Sequence, residues 1–373
     1  MNLTTALGIR LILWAGGVLP TPVPPSVLNA LSSAQVTNDA ENGDGFQLTF
    51  TLGRDAGVDY ELLSSGVVDP MTRVWLGVAI GVVPEVLIDG VVTHHELAPS
   101  NDPGASTLTV TGTNLTAMLD LQEKNARFSN QPDYLIVTNV LLSYPQLGLI
   151  PDATPTSDVP IELQRIPRQH ETDLRFIRRM AERNGYVFYV EPATFGVNHA
   201  YFGPETRFGV PQPALTMNMG PDTNVRRLSF SNDALAPVGA SGTFIEPITK
   251  TAIPIPPLPS LRIPPLSASP AATNRTVLLR DSANEDPAQA ALSFVSAVTN
   301  APDAVRGTGT LDTADYGSIL RARGLVGVRG AGYAYDGNYY VRSVTHDISP
   351  GSYTQSFTLS REGTGALLPV VLP

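Results

Sequence analysis

Residues 162–191, ELQRIPRQHETDLRFIRRMAERNGYVFYVE, predict an extended segment, one short amphipathic helix, a glycine stop and a strand. Thr172 is a residue type that caps helices, and Asp173 lies in the first turn, where a negative charge interacts favourably with the helix dipole. Gly185 can end the helix, and the aromatic and β-branched residues 186–190 favour a strand. The apolar stripe of the helix consists of Leu174, Ile177, Met180 and Ala181, which recur at helical spacing.

The composition favours short strands and turns over long helices. The 373 residues include 33 Pro and 32 Gly, which punctuate the chain heavily. With 24 basic and 34 acidic residues the net charge is −10, and the basic residues are scattered or paired with acids. This distribution excludes an electrostatic footprint for specific nucleic-acid binding. The length predicts two or three domains.

The chain has no cysteine, which excludes disulfides, thiolate zinc sites and cysteine nucleophiles. The apolar run 74–83 ends at Pro84 and Glu85, well short of the ~20 residues of a membrane-spanning helix. Residues 6–19 predict a first strand rather than a signal peptide, because Arg10 is their only positive charge and no convincing cleavage site follows. We therefore predict no membrane insertion.

Residues 1–125 are predicted to form a compact antiparallel β unit, either a barrel or a sandwich. A hairpin is predicted around the turn 38–45, and two further strands are predicted within 71–98 with a turn at Asp89–Gly90. Residues 106–114 predict another strand. The return strand of the hairpin alternates between an apolar face, Phe46, Leu48, Phe50 and Leu52, and a polar face, Gln47, Thr49, Thr51 and Gly53.

Residues 126–212 predict a small α+β domain with a helix at 133–142, and β structure returns from 213 to 373. The predicted elements of that last part are strands at 225–231, 307–312, 324–330, 338–348 and 352–363, and a helix at 287–298. Residues 246–275 contain eight prolines, which predicts an extended arm, partly polyproline, without a regular element.

The last strand alternates in the same way as the return strand 46–54. One face holds Tyr353, Gln355, Phe357 and Leu359, and the other holds Thr354, Ser356, Thr358 and Ser360. The similarity between 46–54 and 352–363 is consistent with two related β units separated by the α+β domain. Convergence of two amphipathic strands explains the same pattern equally well.

We find no pattern that predicts catalysis or cofactor binding. His94, His95 and Glu96 resemble a metal-ligand run, but adjacent strand residues point to opposite faces, so both histidines cannot easily share an ion. His346–Asp347, at a predicted strand end, is an equally weak candidate for a metal site. The acidic turn 38–45 lacks the order of a calcium loop and a Glu at its twelfth place, so we interpret it as a hairpin turn.

The run 164–191, QRIPRQHETDLRFIRRMAERNGYVFYVE, resembles the motif of the phage late-control D proteins. These are the baseplate hub proteins of contractile tails, and the hub half of type VI secretion spike proteins belongs with them. Their motif is a Gln/Arg-rich strand, an acidic cap, a D-x-x-F-I-x-R-x-A-E-x-x-G helix and an aromatic strand. The matching residues are Asp173, Phe176, Ile177, Arg179, Ala181, Glu182 and Gly185, followed by Tyr186, Phe188 and Tyr189.

The resemblance implies a mainly β (α+β) fold with two tube-type antiparallel β-barrel domains, 1–125 and 213–373, around the small domain 126–212. It implies a homotrimer whose six barrel-like domains form a pseudo-sixfold ring, which adapts a hexameric inner tube to a trimeric spike. The implied partners are an inner tube protein, baseplate components and a spike, which we expect to be a separate polypeptide because the chain stops at Pro373. The implied location is the cytoplasm during assembly and then a phage tail or injection particle. No catalysis, cofactor or metal is implied.

The resemblance also gives candidate roles to two sets of residues. The small polar residues of the two alternating strands, Thr49, Thr51, Thr354, Ser356 and Thr358, are expected to line the tube if their faces point to the lumen. The arginines of the helix, Arg175, Arg178, Arg179 and Arg183, form either a solvated face or a contact with another subunit or the baseplate. A secreted β-rich adhesin or carbohydrate-binding module is the alternative function, and a hydrolase with an unrecognised site is a third.

Overall fold

The computed structural model describes residues 8–53, 60–81, 83–102, 104–160, 162, 166–245, 251–258, 263–279 and 287–367. The chain is mainly β, as predicted, and most of its strands belong to one large sheet. In these ranges no helix has both the length and the apolar character needed to cross a membrane.

The first β unit consists of seven strands and two short helices. Its elements are β1 (Ile9–Gly16), β2 (Thr21–Pro22), α1 (Pro25–Ala30), β3 (Leu31–Asp39), β4 (Gly45–Leu52), α2 (Glu61–Ser64), β5 (Arg73–Ile80), β6 (Val83–Ala98) and β7 (Ser106–Asn114). The strand order is β2-β1-β5-β6-β7-β4-β3. Residues of β1 and β3, near opposite ends of this order, belong to one apolar core, so the sheet curls around it.

The predicted alternation of β4 is confirmed. Phe46, Leu48, Phe50 and Leu52 are buried in this core, whereas Gln47 and Thr51 are exposed and Thr49 is half-buried. Strict alternation produces this result because successive strand residues point to opposite faces.

The predicted turn at Asp89–Gly90 is wrong, since β6 runs through it without a break. Asp89 can be buried because its charge is compensated. Its carboxylate forms an ion pair with the guanidinium of Arg73 at 2.7 Å and accepts a hydrogen bond from the side-chain amide of Asn198 at 2.8 Å. Gly90 leaves room for the neighbouring strand, because a Cβ atom there would lie 2.4 Å from the carbonyl oxygen of Thr113. The two turn-forming residue types therefore serve strand packing here.

The middle unit follows as a small α+β arrangement. Its elements are β8 (Glu123–Arg127), α3 (Asp133–Leu142), β9 (Leu149–Ala153), β10 (Arg168–Thr172), α4 (Asp173–Asn184), β11 (Val187–Thr194) and β12 (Val197–Gly203). Helix α4 has the predicted ends: the hydroxyl of Thr172 accepts from the amide of Arg175 at 3.4 Å, and Gly185 has φ 66°. The predicted apolar stripe is buried against α3 and β12 in a core of its own.

The second β unit repeats the strand order of the first. Its strands and helix are β13 (Gln212–Thr216), β14 (Val225–Asn232), β19 (Val305–Asp312), α6 (Thr313–Tyr316), β20 (Leu325–Arg329), β21 (Gly337–Ser349) and β22 (Ser352–Arg361). The pairing is β13-β20-β21-β22-β19-β14, which matches β1-β5-β6-β7-β4-β3 element by element in chain order. A short helix follows the corresponding strand in both units, α2 after β4 and α6 after β19. The units differ in that β13 pairs in parallel with β20, whereas β1 is antiparallel to β5.

This correspondence changes the pairing of repeats suggested by the sequence. Segments 46–54 and 352–363 alternate alike, but β4 corresponds to β19, and β22 corresponds to β7. Similar amphipathic strands at different places in the two units explain the misleading match.

The two units join into one continuous sheet through strands β3 and β21, a junction that we call the seam. The antiparallel seam runs from Asp39 opposite Ser343 to Ala34 opposite Ile348. One chain therefore presents two successive copies of the same β unit side by side.

An insertion, residues 233–304, separates β14 from β19. It contains β15 (Val238–Ile245), β16 (Ala252–Leu258), β17 (Ser269–Pro270), β18 (Arg275–Leu279) and α5 (Pro287–Thr299). The Pro-rich arm was predicted to lack regular structure, yet 252–258 form a strand paired with β15. Because β16 lies at the edge of a three-stranded sheet, its prolines need not donate to a second neighbour. Parts of the predicted arm, 246–250 and 259–262, lie outside the described residues. Strand β17 pairs with β23 (Gly363–Thr364) near the end of the chain.

Candidate functional surface

One face of the continuous sheet is rich in hydroxyl and amide side chains, and we call it the hydroxyl face. Residues opposite one another in neighbouring antiparallel strands point to the same side of a sheet. Thr345 in β21 lies opposite Thr37 in β3 and opposite Ser356 in β22. Ser356 in turn lies opposite Thr310 in β19. The polar side chains thus continue across the seam without a change of face.

The structure places all five small polar candidates on this face. Thr354 is connected through Asp347 and Gln35 to Gln47 by successive strand pairs, which puts the polar residues of β4 on the same side as those of β22. Thr51 is exposed, and Thr49, Thr354, Ser356 and Thr358 are half-buried. The sequence predicted each polar strand face separately, and the structure brings the faces together.

The same face contains seven further polar residues that the sequence alone does not bring together. They are Gln35, Thr37, Thr109, Thr111, Thr308, Thr310 and Thr345. The signal was present in the alternation of the segments 106–114 and 305–312, but it needs the strand order to be interpreted.

The hydroxyl face has few charges, and several of its polar groups are bonded to one another. Gln35 Nε2 donates to the carboxylate of Asp347 at 2.6 Å across the seam, and the hydroxyls of Thr37 and Thr345 are 3.1 Å apart. Small hydroxyl side chains hold water and offer neither an anchoring charge nor an apolar pocket. Such a surface suits weak contact with a passing molecule better than tight binding.

The helix arginines are divided between pairing within the chain and exposure. Arg179 contacts Glu171 at 2.7 Å and is exposed, Arg175 lies 3.7 Å from Asp120 and is exposed, and Arg178 is exposed. The half-buried Arg183 forms an ion pair with the fully buried Asp133. Arg183 therefore fastens α4 to α3, whereas the other three remain on the surface.

Asp173 has a larger role than the predicted dipole interaction. It is 1% exposed and accepts from Lys124 at 2.5 Å, Tyr144 at 2.6 Å and Gln169 at 2.7 Å. The hydrogen bond to Asp173 raises the pKa of Lys124 above its ordinary value against the effect of burial. The first residue of the helix thus links α4 to β8, β10 and the end of α3.

Besides the pair of Arg73 and Asp89, two further buried ionic clusters join the units among the described residues, and no local pattern in the sequence indicates either. In the smaller one, Asp44 pairs with Arg323 at 2.7 Å, and the guanidinium lies 4.5 Å from the ring centre of Tyr189. It therefore joins the turn before β4, the segment before β20 and strand β11.

The larger cluster surrounds Arg207, which is 1% exposed. Its guanidinium contacts Glu205 at 2.9 Å, Asp303 at 3.0 Å and Glu362 at 2.9 Å. Arg342 joins the same cluster through Glu205 at 2.6 Å and Asp303 at 3.1 Å. Burial opposes the charge of Arg207, but the carboxylates outweigh it and raise the pKa of that arginine.

The histidines do not form a metal site within the described residues, where no group of three or more His, Asp or Glu side chains has a suitable arrangement. His94 lies opposite Thr111 and His95 opposite Val110, so the two imidazoles point to opposite faces, as predicted. His346 is fully buried with its Nδ1 3.0 Å from the hydroxyl of Tyr353. Burial lowers the pKa of His346 to about 3, so the ring is neutral at physiological pH.

No protein-family model matches the sequence, and no curated protein matches it. Solved structures do resemble the fold over nearly the whole chain. A tail protein from Neisseria meningitidis has a TM-score of 0.63 at 12% identity, with 94% of this chain and 97% of that chain covered. The 43 kDa tail protein of prophage MuSo2 from Shewanella oneidensis has a TM-score of 0.61 at 15% identity, with 95% and 98% covered.

A third similar structure is an Escherichia coli component of the type VI secretion system, itself similar to tail proteins of bacteriophage T4. Its TM-score is 0.55 at 14% identity, with 92% of this chain and 77% of that chain covered. At such identities the likeness establishes the fold. The fold expected from the motif in 164–191 is confirmed: this chain has the fold of phage tail and type VI secretion proteins.

Proposed function

We propose that this protein is a structural hub of a phage tail or a contractile injection system, which adapts a hexameric inner tube to a trimeric spike. The observation that carries the proposal is the duplicated strand order, β1-β5-β6-β7-β4-β3 and β13-β20-β21-β22-β19-β14, joined in one sheet. Three such chains contain six equivalent units, which resolves the mismatch between sixfold and threefold symmetry. The similar tail proteins support this reading.

The hydroxyl face is the proposed lining of the tube. It extends over both units, so a ring of chains would present the same kind of surface all the way round. Thr49, Thr51, Thr354, Ser356 and Thr358 would then contact the transported molecule through small, hydrated groups. The apolar residues on the opposite face fill the two cores.

The remaining parts of the proposal concern partners and organisation. The division into domains 1–125, 126–212 and 213–373 is supported by a core in each of the three units, with Ile319, Ile348 and Tyr353 of the second β unit packed into the core of the first. The exposed Arg178 would contact an acidic baseplate neighbour, together with the exposed Arg175 and Arg179, which face Asp120 and Glu171 within the chain. The protein would assemble in the cytoplasm with an inner tube protein and a spike, and it would act without catalysis or a cofactor.

Mass measurement of the purified protein, together with a tryptophan substitution, tests the function. We expect a trimer, and we expect Thr358→Trp to leave the trimer and its melting temperature unchanged while it blocks assembly of functional particles. Thr358→Ser should have no effect, and Ala193→Trp, at an exposed site of the middle unit, controls for the bulk of the new ring. A monomer that binds glycans would favour the adhesin alternative and contradict the hub.

A further inference from the structure

Among the strand edges that lack a partner within the described residues, two belong to strands that correspond to those of the seam. Strand β14 pairs with β19 on one side, and no described strand pairs with its other edge. One edge of β6 is covered by β5 and by the loop before β5. This cover ends at Val92, whose amide donates to the carbonyl oxygen of Thr72 at 2.9 Å. Of the strands that the structure describes, only β7 pairs with residues 94–98 of β6. Unpaired edges of this kind are templates for another strand.

These two edges correspond to the two strands of the seam. In the duplicated order, β14 takes the place of β3, and β6 takes the place of β21. Because β3 and β21 pair within the chain, the same pairing is open to β14 and β6 of two different copies. Within one chain, the two free edges lie at opposite ends of this part of the sheet.

The hairpins fix how the residues of β6 and β21 correspond. The last pair of the β6–β7 hairpin is Ala98 with Thr107, and that of the β21–β22 hairpin is Ser349 with Ser352. Counting three residues back from each end places His95–Glu96 in the position of His346–Asp347. Similar dipeptides therefore occupy the same register position.

The same correspondence of residues can be followed across the sheet, strand by strand, to β14. Thr111 corresponds to Ser356, and their next partners are Gln47 and Thr310. Gln47 lies opposite Gln35, and Thr310 lies opposite Arg227. Arg227 thus takes the position of Gln35, with Leu228 in that of Val36.

The side chains at these positions are complementary. In the seam, Gln35 donates to Asp347 at 2.6 Å. At the free edges the corresponding residues are Arg227 and Glu96, both exposed and oppositely charged. Among the described residues neither forms an ion pair in its own chain, so both charges are available to a second copy.

Apolar side chains are less buried at the free edges than in the seam, and pairing with another copy would bury them. On the core face of the seam, Val36 and His346 are both 0% exposed and Ile348 is 5% exposed. At the free edges, Leu228 is half-buried, and Leu97, which takes the position of Ile348, is 36% exposed. A strand from another copy would cover these apolar groups.

We propose that copies of this chain associate by antiparallel pairing of β14 in one copy with residues 94–98 of β6 in the next, in the register of the seam. Arg227 then lies opposite Glu96, Leu228 opposite His95, and Ser229 opposite His94. The hydroxyl face continues from copy to copy, and each interface between copies repeats the seam. This assignment rests on the proposed function for the number of copies, and the strands and register come from the duplicated topology.

Disulfide trapping tests the register, because the natural chain has no cysteine to interfere. Opposite residues of antiparallel strands are about 4.5–5.5 Å apart between Cα atoms, within disulfide range. We expect Glu96→Cys mixed with Arg227→Cys to form a crosslinked dimer under mild oxidation. Leu228→Cys, which points to the other face, should crosslink at least about ten-fold less. The double variant Thr37→Cys, Thr345→Cys should close within one chain and serves as the positive control.

A charge exchange tests the pairing without oxidation. Arg227→Glu should weaken association at least about ten-fold, because like charges then face each other, and Glu96→Arg added to it should restore association. A stable oligomer of unchanged affinity in Arg227→Glu, without a crosslink between positions 96 and 227, overturns the assigned interface and leaves the hub function standing. A natural protein that stays monomeric at high concentration overturns both.

Discussion

The two β units share a strand order but differ at one hairpin. In the first unit, residues 40–44 close the hairpin between β3 and β4, whereas in the second the insertion 233–304 separates β14 from β19. Both units place an aspartate just before the returning strand, Asp44 before β4 and Asp303 before β19. Each aspartate is buried against arginine.

The two aspartates differ in the number of guanidinium groups that they contact. Asp44 pairs with one guanidinium, that of Arg323, whereas Asp303 contacts both Arg207 and Arg342 and shares them with three glutamates, which are Glu205, Glu362 and, at 3.9 Å, Glu41. The short turn has only one close ion pair, at Asp44, and a looser contact of Glu41 with Arg342 at 3.9 Å, because its own backbone is held by the hairpin. The insertion must be fixed against the middle unit and the end of β22, and a network does this.

The largest effect is expected from Arg207→Ala. The variant leaves three carboxylates around an empty position with only Arg342 to compensate, and loss of one partner from a single buried ion pair already costs about 3–5 kcal/mol. We expect the free energy of unfolding to fall by at least that amount. Urea denaturation measures this fall, which appears as a lower midpoint.

The exposed arginine of β19 provides the matched control for this variant. Arg306→Ala should change the midpoint little, because Arg306 is exposed. An equally small change in Arg207→Ala would show that the network does not hold the insertion in place.

A smaller loss is expected from Asp44→Ala, about 3 kcal/mol, because one buried guanidinium loses its carboxylate. Arg323 keeps a hydrogen bond to the carbonyl oxygen of Asp39 at 2.7 Å and its contact with Tyr189. Urea denaturation measures the loss of stability. The stability of Asp44→Asn, which retains an acceptor, should lie between that of Asp44→Ala and that of the unsubstituted protein. A loss greater than that of Arg207→Ala would reverse the comparison between the two anchors.

The smallest effect concerns His346 and is a dependence on pH. Its pKa is lowered by burial to about 3, below the ordinary value near 6.5, so the unfolded chain binds a proton that the folded chain does not bind between these values. The contribution of this residue to stability is complete above about pH 6.5. It falls as the pH is lowered, by up to about 1.4 kcal/mol per pH unit.

Urea midpoints at pH 5 and pH 8 measure this dependence. We expect His346→Gln to reduce the difference between the two midpoints, and His170→Gln, at an exposed position of β10, to leave it unchanged. An unchanged difference in His346→Gln would contradict the role given to the buried imidazole.

The sequence predicted those elements whose signals are local. Helix α4 follows from Thr172, a four-residue apolar stripe and Gly185, and the alternating strands follow from residues such as Phe46 and Thr49. These signals depend on neighbours within a few positions, so they survive without knowledge of the fold.

Features that depend on distant partners were not predicted. Asp89–Gly90 has the composition of a turn, and only the pairing of Asp89 with Arg73 and Asn198 explains why the strand continues. Arg207 and Arg342 resemble surface arginines in the sequence, because nothing near them indicates burial. The hydroxyl face was predicted in fragments, and the choice between duplication and convergence for 46–54 and 352–363 stayed open, because both need the strand order.

The entry and exit of the insertion lie next to each other. The amide of Asp233 donates to the carbonyl oxygen of Ala304 at 2.8 Å, as a last rung of the β14–β19 ladder. A segment with adjoining ends can be lengthened, shortened or exchanged without a change in the sheet that carries it. This position is therefore a natural site at which evolution or an engineer can add a new module to the assembly.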